Sequence, residues 1–316
     1  MPNRRHLISL DDLDDDDLSW IVRRGAWYAS GGHAEPLRDD IVALLFRNTS
    51  TRTRTAFSAG ALRLGARLIT YGPDDLQLNT GETTGDTAAV LSRMVDVLVV
   101  RSANGEEVRE YATSSRMGVV NAMSAAEHPT QALADLTTMS RHFGAVDGLR
   151  VLYVGEGNNT ASALCLGLTR FPGTELHLRT PPGYGVAPSF VERAELLAKA
   201  SDARIEQRHD MDDLPEVDVV YTTRWQTTGT TKPTADWRVR FAPFQVNQAV
   251  MDRCPAAVFM HDLPAHRGEE VTAEVLDGPA SIAFDQAENK FHSGRSVLEW
   301  CSGRTGGKDL DPCLTR

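Results

Sequence analysis

No stretch of this chain approaches the ~20 consecutive apolar residues that a membrane-spanning helix needs, although 41% of its 316 residues are apolar, enough for a proper core. The N-terminus, MPNRRHLISLDDLDDDD, lacks an apolar segment and a small-residue cleavage site, so no secretory leader is read there. Positive charge is in deficit: 33 Lys and Arg stand against 43 Asp and Glu, a formal net charge of −10. A phosphate backbone needs a surplus of cations, so the balance argues against a nucleic-acid partner. Cysteines are few and scattered, at Cys165, Cys254, Cys301 and Cys313, with no C-x-x-C pair. That usage fits reduced thiols in a cytoplasmic protein, with three packed inside and Cys313 exposed in a Gly- and Asp-rich tail. There is no fixed-period repeat. The nearest approach to a dinucleotide fingerprint, GEGNNT at 155–160, is not G-x-G-x-x-G.

What is present is alternation. Strand patterns at 41–46, 67–71, 95–101 and 117–122 are separated by helical stretches, notably 51–66 and 83–94. An acidic-capped helix is read at 10–29, and a longer helical pattern after residue 128 ends at Gly144. A second series follows: strands at 149–155, 174–179, 217–222 and 257–262, helices at 158–171 and 189–201, and a final helix at 286–302. Val- and Leu-rich strands alternating with helices predict parallel sheets covered on both faces. The reading is an α/β chain of two doubly wound parallel-sheet domains joined by interdomain helices. The first domain takes 1–130 with the C-terminal 287–316, and the second takes 145–286. The polar insertion 226–238 is read as a mobile loop with Gly229 easing its movement, and the tail after Trp300 as frayed.

One stretch carries the chemistry. After the strand IVALLF, residues 47–55 read RNTSTRTRT and lead into a helix. In parallel α/β folds ligands bind where strands end and helices begin. A helix N-terminus exposes N–H groups and a partial positive charge, which suits an anion. Ser50, Thr51 and Thr53 add hydroxyls, and Arg52 and Arg54 add planar forks matched to phosphate oxygens. The stretch therefore reads as a phosphate cradle built without a Gly-rich loop. An ordinary Ser/Thr helix cap with two solvated arginines is the plain alternative.

Three motifs in register settle a resemblance: S-T-R-T-R at 50–54, H-P-T-Q at 128–131 and H-D-L-P at 261–264. With DLQLNTGETTGDTAAVLSRMVDVLVVR at 75–101 and the ending DQAENKFHSGRSVLEW, the chain resembles the aspartate/ornithine carbamoyltransferase family over nearly its whole length, and the ornithine branch more closely. The resemblance implies carbamoyl transfer from carbamoyl phosphate to an amine-bearing small molecule, with no metal and no organic cofactor. It implies that the first domain takes carbamoyl phosphate and the second takes the amino-acid acceptor. Ser50, Thr51, Arg52 and Thr53 would hold the phosphate. Arg101 would bridge phosphate and carbonyl oxygen, and His128 and Gln131 would hold the carbamoyl group. Gln77 would reach the ligand from a neighbouring subunit, and the assembly would be a homotrimer. Each residue has a plainer reading: Arg101 a surface arginine, His128 a capping residue before Pro129, Gln77 a solvated loop residue.

The acceptor half departs from its relatives. Asn158 and Asn159 match an Asn pair that touches the acceptor in ornithine enzymes, but Thr223 stands where those enzymes carry Asp, and Thr227-Thr228-Gly229 replaces Ser-Met-Gly. Thr223-Arg224-Trp225-Gln226 instead resembles the Thr-Arg-x-Gln of aspartate enzymes, with Arg224 and Gln226 reading polar ends of the acceptor. Asp262 stands where ornithine enzymes have Cys, and Lys290 where Arg is usual. Asp262 either takes the amine's proton or binds a cationic group; an Asx turn before Leu263-Pro264 and a surface salt bridge at Arg224 are the plain alternatives. The backbone carbonyl of Leu263 could orient the amine. On these departures the expected function is carbamoyl transfer to a non-standard amino-acid-like acceptor in specialised biosynthesis. Arg52, Arg101, His128 and Asp262 would be catalytic, and Asn159, Arg224, Gln226, Asp262, Leu263 and Lys290 would be acceptor ligands. The alternatives are an ornithine carbamoyltransferase with drifted acceptor contacts, and a silent carbamoyl phosphate-binding subunit.

Overall fold

The computed structural model describes residues 4–227, 231–232 and 234–304. Thr228 and Gly229 of the polar insertion, and Cys313 with the rest of the tail beyond residue 304, lie outside the described residues. The chain divides into two units, one of residues 1–142 with 288–316 and the other of residues 143–287.

The first unit runs β1 (His6–Leu7), α1 (Asp15–Ala29), β2 (Ile41–Phe46), α2 (Arg52–Arg63), β3 (Arg67–Tyr71), α3 (Thr84–Leu91), β4 (Val97–Arg101), α4 (Gly105–Thr113), β5 (Gly118–Met123) and α5 (Pro129–Phe143). Its five strands are parallel, in the order β1-β5-β4-β2-β3. Val97, Leu98, Val99 and Val100 on β4 and Val42 to Leu45 on β2 are fully buried, as continuous apolar runs in a doubly covered sheet must be. The second unit runs β6 (Arg150–Val154), α6 (Asn159–Leu168), β7 (Glu175–Arg179), α7 (Pro188–Ser201), β8 (Arg204–Arg208), β9 (Val219–Thr222), α8 (Trp237–Phe241), α9 (Gln248–Arg253), β10 (Val258–His261), α10 (Ala273–Leu276) and α11 (Ala283–Cys301), the last continuing into the first unit. Its five strands are also parallel, ordered β10-β9-β6-β7-β8.

Each sheet reverses its winding once. In the first unit β2 has β3 on one side and β4 on the other; in the second, β6 stands between β7 and β9. Loops that leave such a switch point in opposite directions open a crevice at the carboxyl ends of the strands. Phe46 on β2 is level with Arg101 on β4, and Val154 on β6 with Thr222 on β9. The RNTST loop and the GEGNN loop therefore leave at the two crevices.

The expected strands and long helices are present with shifts of a few residues at their ends. Sequence periodicity did not reveal β1, β8, α4 or the short helices α8, α9 and α10. The strand β1 has only two residues, too few for a pattern. β8 reads RIEQR, an edge strand with little apolar content. The cap of α4 was legible: the Asn104 side chain accepts from the N–H groups of Glu106 and Glu107. Of the four cysteines, Cys165, Cys254 and Cys301 are buried free thiols. No helix among the described residues is long and apolar enough to cross a membrane.

Candidate active site

In the first unit, α2 begins without a side-chain cap. Thr51 occupies the cap position in right-handed helical geometry and its hydroxyl makes no capping bond. The plain reading of a Ser/Thr cap therefore fails at Thr51, the residue in the cap position. A cavity of about 360 Å³ opens there, lined by Phe46 to Thr51, Arg54 and Pro73. Arg54 donates to the Tyr71 carbonyl (3.2 Å), and its Nε is buried with no hydrogen-bond partner among the described residues. The loop is braced from outside the motif. Arg47 pairs with Glu107 at 2.9 Å, and Glu107 accepts from the Ser102 hydroxyl at 2.6 Å. The Arg47 N–H donates to the Arg101 carbonyl at 2.9 Å, which ties the ends of β2 and β4 together.

Arg101 is no surface arginine: it is 8% exposed, at a bulge where β4 and β5 lose register. His128, 5% exposed, lies within the electrostatic reach of Arg101 and Lys290. Burial first, then those two cations, push its imidazole well below the usual histidine range, so it is neutral near pH 7. Thr130 lies 3.3 Å from its Nδ1. Gln131 donates its amide N–H to Asp135 at 2.7 Å, while its Oε1 is buried with no partner among the described residues. A buried amide oxygen left over in this way suits an N–H donor on a ligand. Lys290, grouped on sequence with the acceptor residues, belongs to the first unit and acts on His128. Gln77 is exposed, and its Oε1 accepts from Thr80 at 2.8 Å within its own turn.

In the second unit the carboxylate of Asp262 is the centre. β10 and β9 are neighbours with His261 level with Thr222, so Asp262 lies beside Thr223. The Thr223 hydroxyl donates to Oδ1 at 2.9 Å and the Thr160 hydroxyl donates to Oδ2 at 3.0 Å. A residue held from two other elements is not merely a turn former. Its neighbours are fixed as well. The Leu263 N–H donates to Nδ1 of His261 at 2.8 Å, and Nε2–H of His261 faces Glu270 at 3.2 Å, both side chains fully buried. That bond holds Leu263 at φ +50°, a left-handed conformation uncommon for a branched residue. Asn158 caps α6, accepting from the N–H groups of Thr160 and Ala161. Asn159 is buried in the first turn of that helix. Arg224 is half-buried, and among the described residues no carboxylate pairs with it, so the salt-bridge alternative is absent there. Gln226 is also half-buried.

Sequence reasoning missed Thr160 and Arg47. Both sit directly beside a recognised motif, and adjacency was the available signal.

Two parallel sheets, each winding in both directions from a switch point, with a loop rich in arginine and hydroxyl groups at the end of one and a carboxylate held by two threonines at the end of the other, have the build of an α/β enzyme with a ligand site at each set of strand ends. A family model described as "Aspartate/ornithine carbamoyltransferase, carbamoyl-P binding domain" matches residues 5–141, and one described as "Aspartate/ornithine carbamoyltransferase, Asp/Orn binding domain" matches residues 147–301. The chain belongs to the aspartate/ornithine carbamoyltransferase family and is a carbamoyltransferase. It is 39% identical over 302 residues to an ornithine carbamoyltransferase of Methanothermobacter thermautotrophicus, covering 95% of this chain and 99% of that one. The solved structure of ornithine carbamoyltransferase from Pyrococcus furiosus superimposes with a TM-score of 0.89 at 36% identity, covering 95% of this chain and 98% of that one. That from Thermus thermophilus gives 0.82 at 32% identity, covering 95% and 99%.

Proposed function

We propose that the chain transfers the carbamoyl group of carbamoyl phosphate to the side-chain amine of ornithine and releases phosphate. The observation that carries this reading is the Asp262 carboxylate, fixed by Thr160 and Thr223, with Arg224 directly after Thr223 in the chain and no carboxylate paired to it among the described residues. An acid and a guanidinium together read a molecule with both an ammonium and a carboxylate group. The names borne by the relatives favour ornithine over the non-standard acceptor expected from sequence. That expectation rests on the departures at Thr223, Thr227-Thr228-Gly229, Asp262 and Lys290 together. The acid absent at Thr223 is supplied, on the ornithine reading, one strand over by Asp262, through a direct hydrogen bond to Thr223.

In this reading the α2 N-terminus, Ser50, Thr51, Arg52, Thr53 and Arg101 hold the phosphate. Arg101 and neutral His128 polarise the carbonyl, Gln131 accepts from the carbamoyl N–H, and Gln77 comes from a neighbouring subunit. Asn159, Arg224, Gln226, Asp262 and the Leu263 carbonyl hold the acceptor. The neutral amine's lone pair attacks the carbonyl carbon and a C–N bond forms. The C–O bond to phosphate breaks, and the leaving phosphate takes the electron pair and the proton shed by the nitrogen. In this reading residues 1–130 with 287–316 form the donor half and residues 145–286 the acceptor half. We place the enzyme in the cytoplasm as a homotrimer; the exposure of Gln77 in a single chain supports a role toward a neighbour.

A second reading, a larger basic acceptor, is favoured by Asp262 itself, since a fixed carboxylate holds an additional cation. Phosphate release from carbamoyl phosphate, measured with ornithine, lysine, putrescine, diaminopropionate and aspartate, decides between them. Saturation by ornithine at millimolar concentration or below supports the first reading. Turnover with a longer diamino acid but not ornithine replaces it with the second, and silence with every amine removes both.

A further inference from the structure

Lys232 stands in a place that the carbamoyl-transfer chemistry does not explain. Its side chain is 3% exposed, and its ammonium pairs directly with the Glu156 carboxylate. Three ring faces surround that ammonium: Phe241 at 5.0 Å, Tyr184 at 5.2 Å and Trp237 at 5.9 Å from their centroids. Ring faces carry negative quadrupole charge, so the enclosure suits a cation and repels an anion. The rings are locked to one another, Tyr184 with Phe241 at 4.8 Å and Trp237 with Phe241 at 5.5 Å. Trp225, directly after Arg224, packs into the same cluster, 5.5 Å from Phe241. The cage therefore joins residues on both sides of the polar insertion.

Glu156 holds the insertion a second time. Its other carboxylate oxygen accepts from the Thr227 hydroxyl at 3.3 Å, and Thr227 accepts from the Asn158 side chain at 3.2 Å. Asn158 caps α6, whose first turn bears Asn159 and Thr160, and Thr160 holds Asp262. A continuous chain of contacts thus runs from the caged ammonium to the acid proposed to receive the acceptor. Burial draws the Lys232 ammonium below the usual lysine range, and the Glu156 carboxylate opposes that shift.

We propose that Lys232 is a positioning residue for the acceptor: its caged ammonium, locked on Glu156, holds Arg224, Thr227 and the α6 N-terminus in register with Asp262. This deepens the acceptor assignment above and rests on it. A neutral side chain at 232 frees the insertion and lets Glu156 turn to water, and the acceptor groups lose their common anchor. The carbamoyl phosphate groups belong to the other unit and keep their geometry.

The test is steady-state kinetics of the full-length enzyme with both substrates varied. Lys232→Met raises the KM for ornithine about tenfold or more and leaves that for carbamoyl phosphate within about twofold. Lys232→Arg stays near wild type, because a guanidinium also suits ring faces. The exchanged pair Glu156→Lys with Lys232→Glu remains impaired, since it restores an ion pair but places an anion against the rings. An unmoved ornithine KM in Lys232→Met, an equal rise in both KM values, or full rescue by the exchanged pair overturns the inference. A wild-type enzyme inert with every amine would instead sink the acceptor reading itself. The cage has its own readout: the chain has four lysines, and mild acetylation mapped by mass spectrometry should modify exposed Lys199 well before Lys232. Equal rates overturn the enclosure whatever the kinetics show.

Discussion

At the scale of single residues, position relative to a strand end decides what a side chain does. Arg52 opens a helix whose cap residue, Thr51, makes no side-chain capping bond and lines the cavity together with Arg54. Hydrogen bonds to a charged group contribute about 1.5–3 kcal/mol each. Arg52→Ala should therefore raise the KM for carbamoyl phosphate roughly 10- to 100-fold, by the tenfold-per-1.4 kcal/mol rule. Isothermal titration with carbamoyl phosphate checks it, and unchanged affinity contradicts the cradle. Asp262 and Thr223 form the complementary pair in the second unit. Removing the Thr223 hydroxyl leaves one carboxylate oxygen without its donor, while Asp262→Asn removes the charge. Thr223→Val is expected to lower kcat/KM for the acceptor about tenfold and Asp262→Asn by more, with the carbamoyl phosphate KM little changed. Equal loss toward both substrates would count against the assignment of this pair to the acceptor.

At the scale of elements, the N-terminal segment is tied to the loop that carries His128. Ser9 and Asp12 cap each other's backbone in a reciprocal box around a 3-10 turn at Leu10–Asp12. Glu127, directly before His128, accepts from the Leu10 N–H at 2.8 Å and is 5% exposed. Burial pushes its carboxyl up to about 7 from an ordinary value of 4.5, more than the bonds from Leu10 and Ser9 pull it down. A carboxyl raised in the folded state binds its proton more tightly there than in the unfolded chain. Its stabilising contribution is complete below about pH 4.5 and is lost as pH rises through about 7. Glu127→Gln keeps an acceptor for the Leu10 N–H and removes the titration. The variant should lose that part of the wild type's decline in Tm between about pH 4.5 and 7, measured by thermal scans across that range. Parallel Tm curves for the two proteins would refute it.

At the scale of the whole molecule, the two sheets repeat one design. Each is five-stranded, parallel and wound in both directions from a switch point, and each delivers its recognition loops at the strand ends. The proposed homotrimer should run on size exclusion at about three times the 34.6 kDa of one chain. Gln77→Ala mixed with Arg52→Ala in one preparation should regain activity when subunits exchange, because some sites then carry both intact residues. No regain after exchange would show that Gln77 serves its own chain or none.

Much of this was legible in the residues. The apolar runs at 41–46 and 97–100 and the helical stretches between them could form little other than a doubly covered parallel sheet. STRTR pointed to a phosphate site because an anion demands N–H donors, hydroxyls and arginines at a helix start, and HPTQ was legible only as part of the family resemblance. The short or polar elements, β1 and β8, lacked a pattern to read. The neutrality of His128 was equally out of reach, since it follows from burial and from Arg101 and Lys290, residues distant along the chain.

The sequence by itself determined the fold class and the family, because these follow from local periodicity and contiguous motifs. Only the tertiary structure decided that the Thr223 hydroxyl meets the Asp262 carboxylate, and that Lys232 is enclosed by rings from Tyr184, Trp237 and Phe241. Those facts depend on which strands lie side by side and which helices close over them. Hydrogen bonds and cation–π contacts act over a few ångströms of space, whatever the distance along the chain.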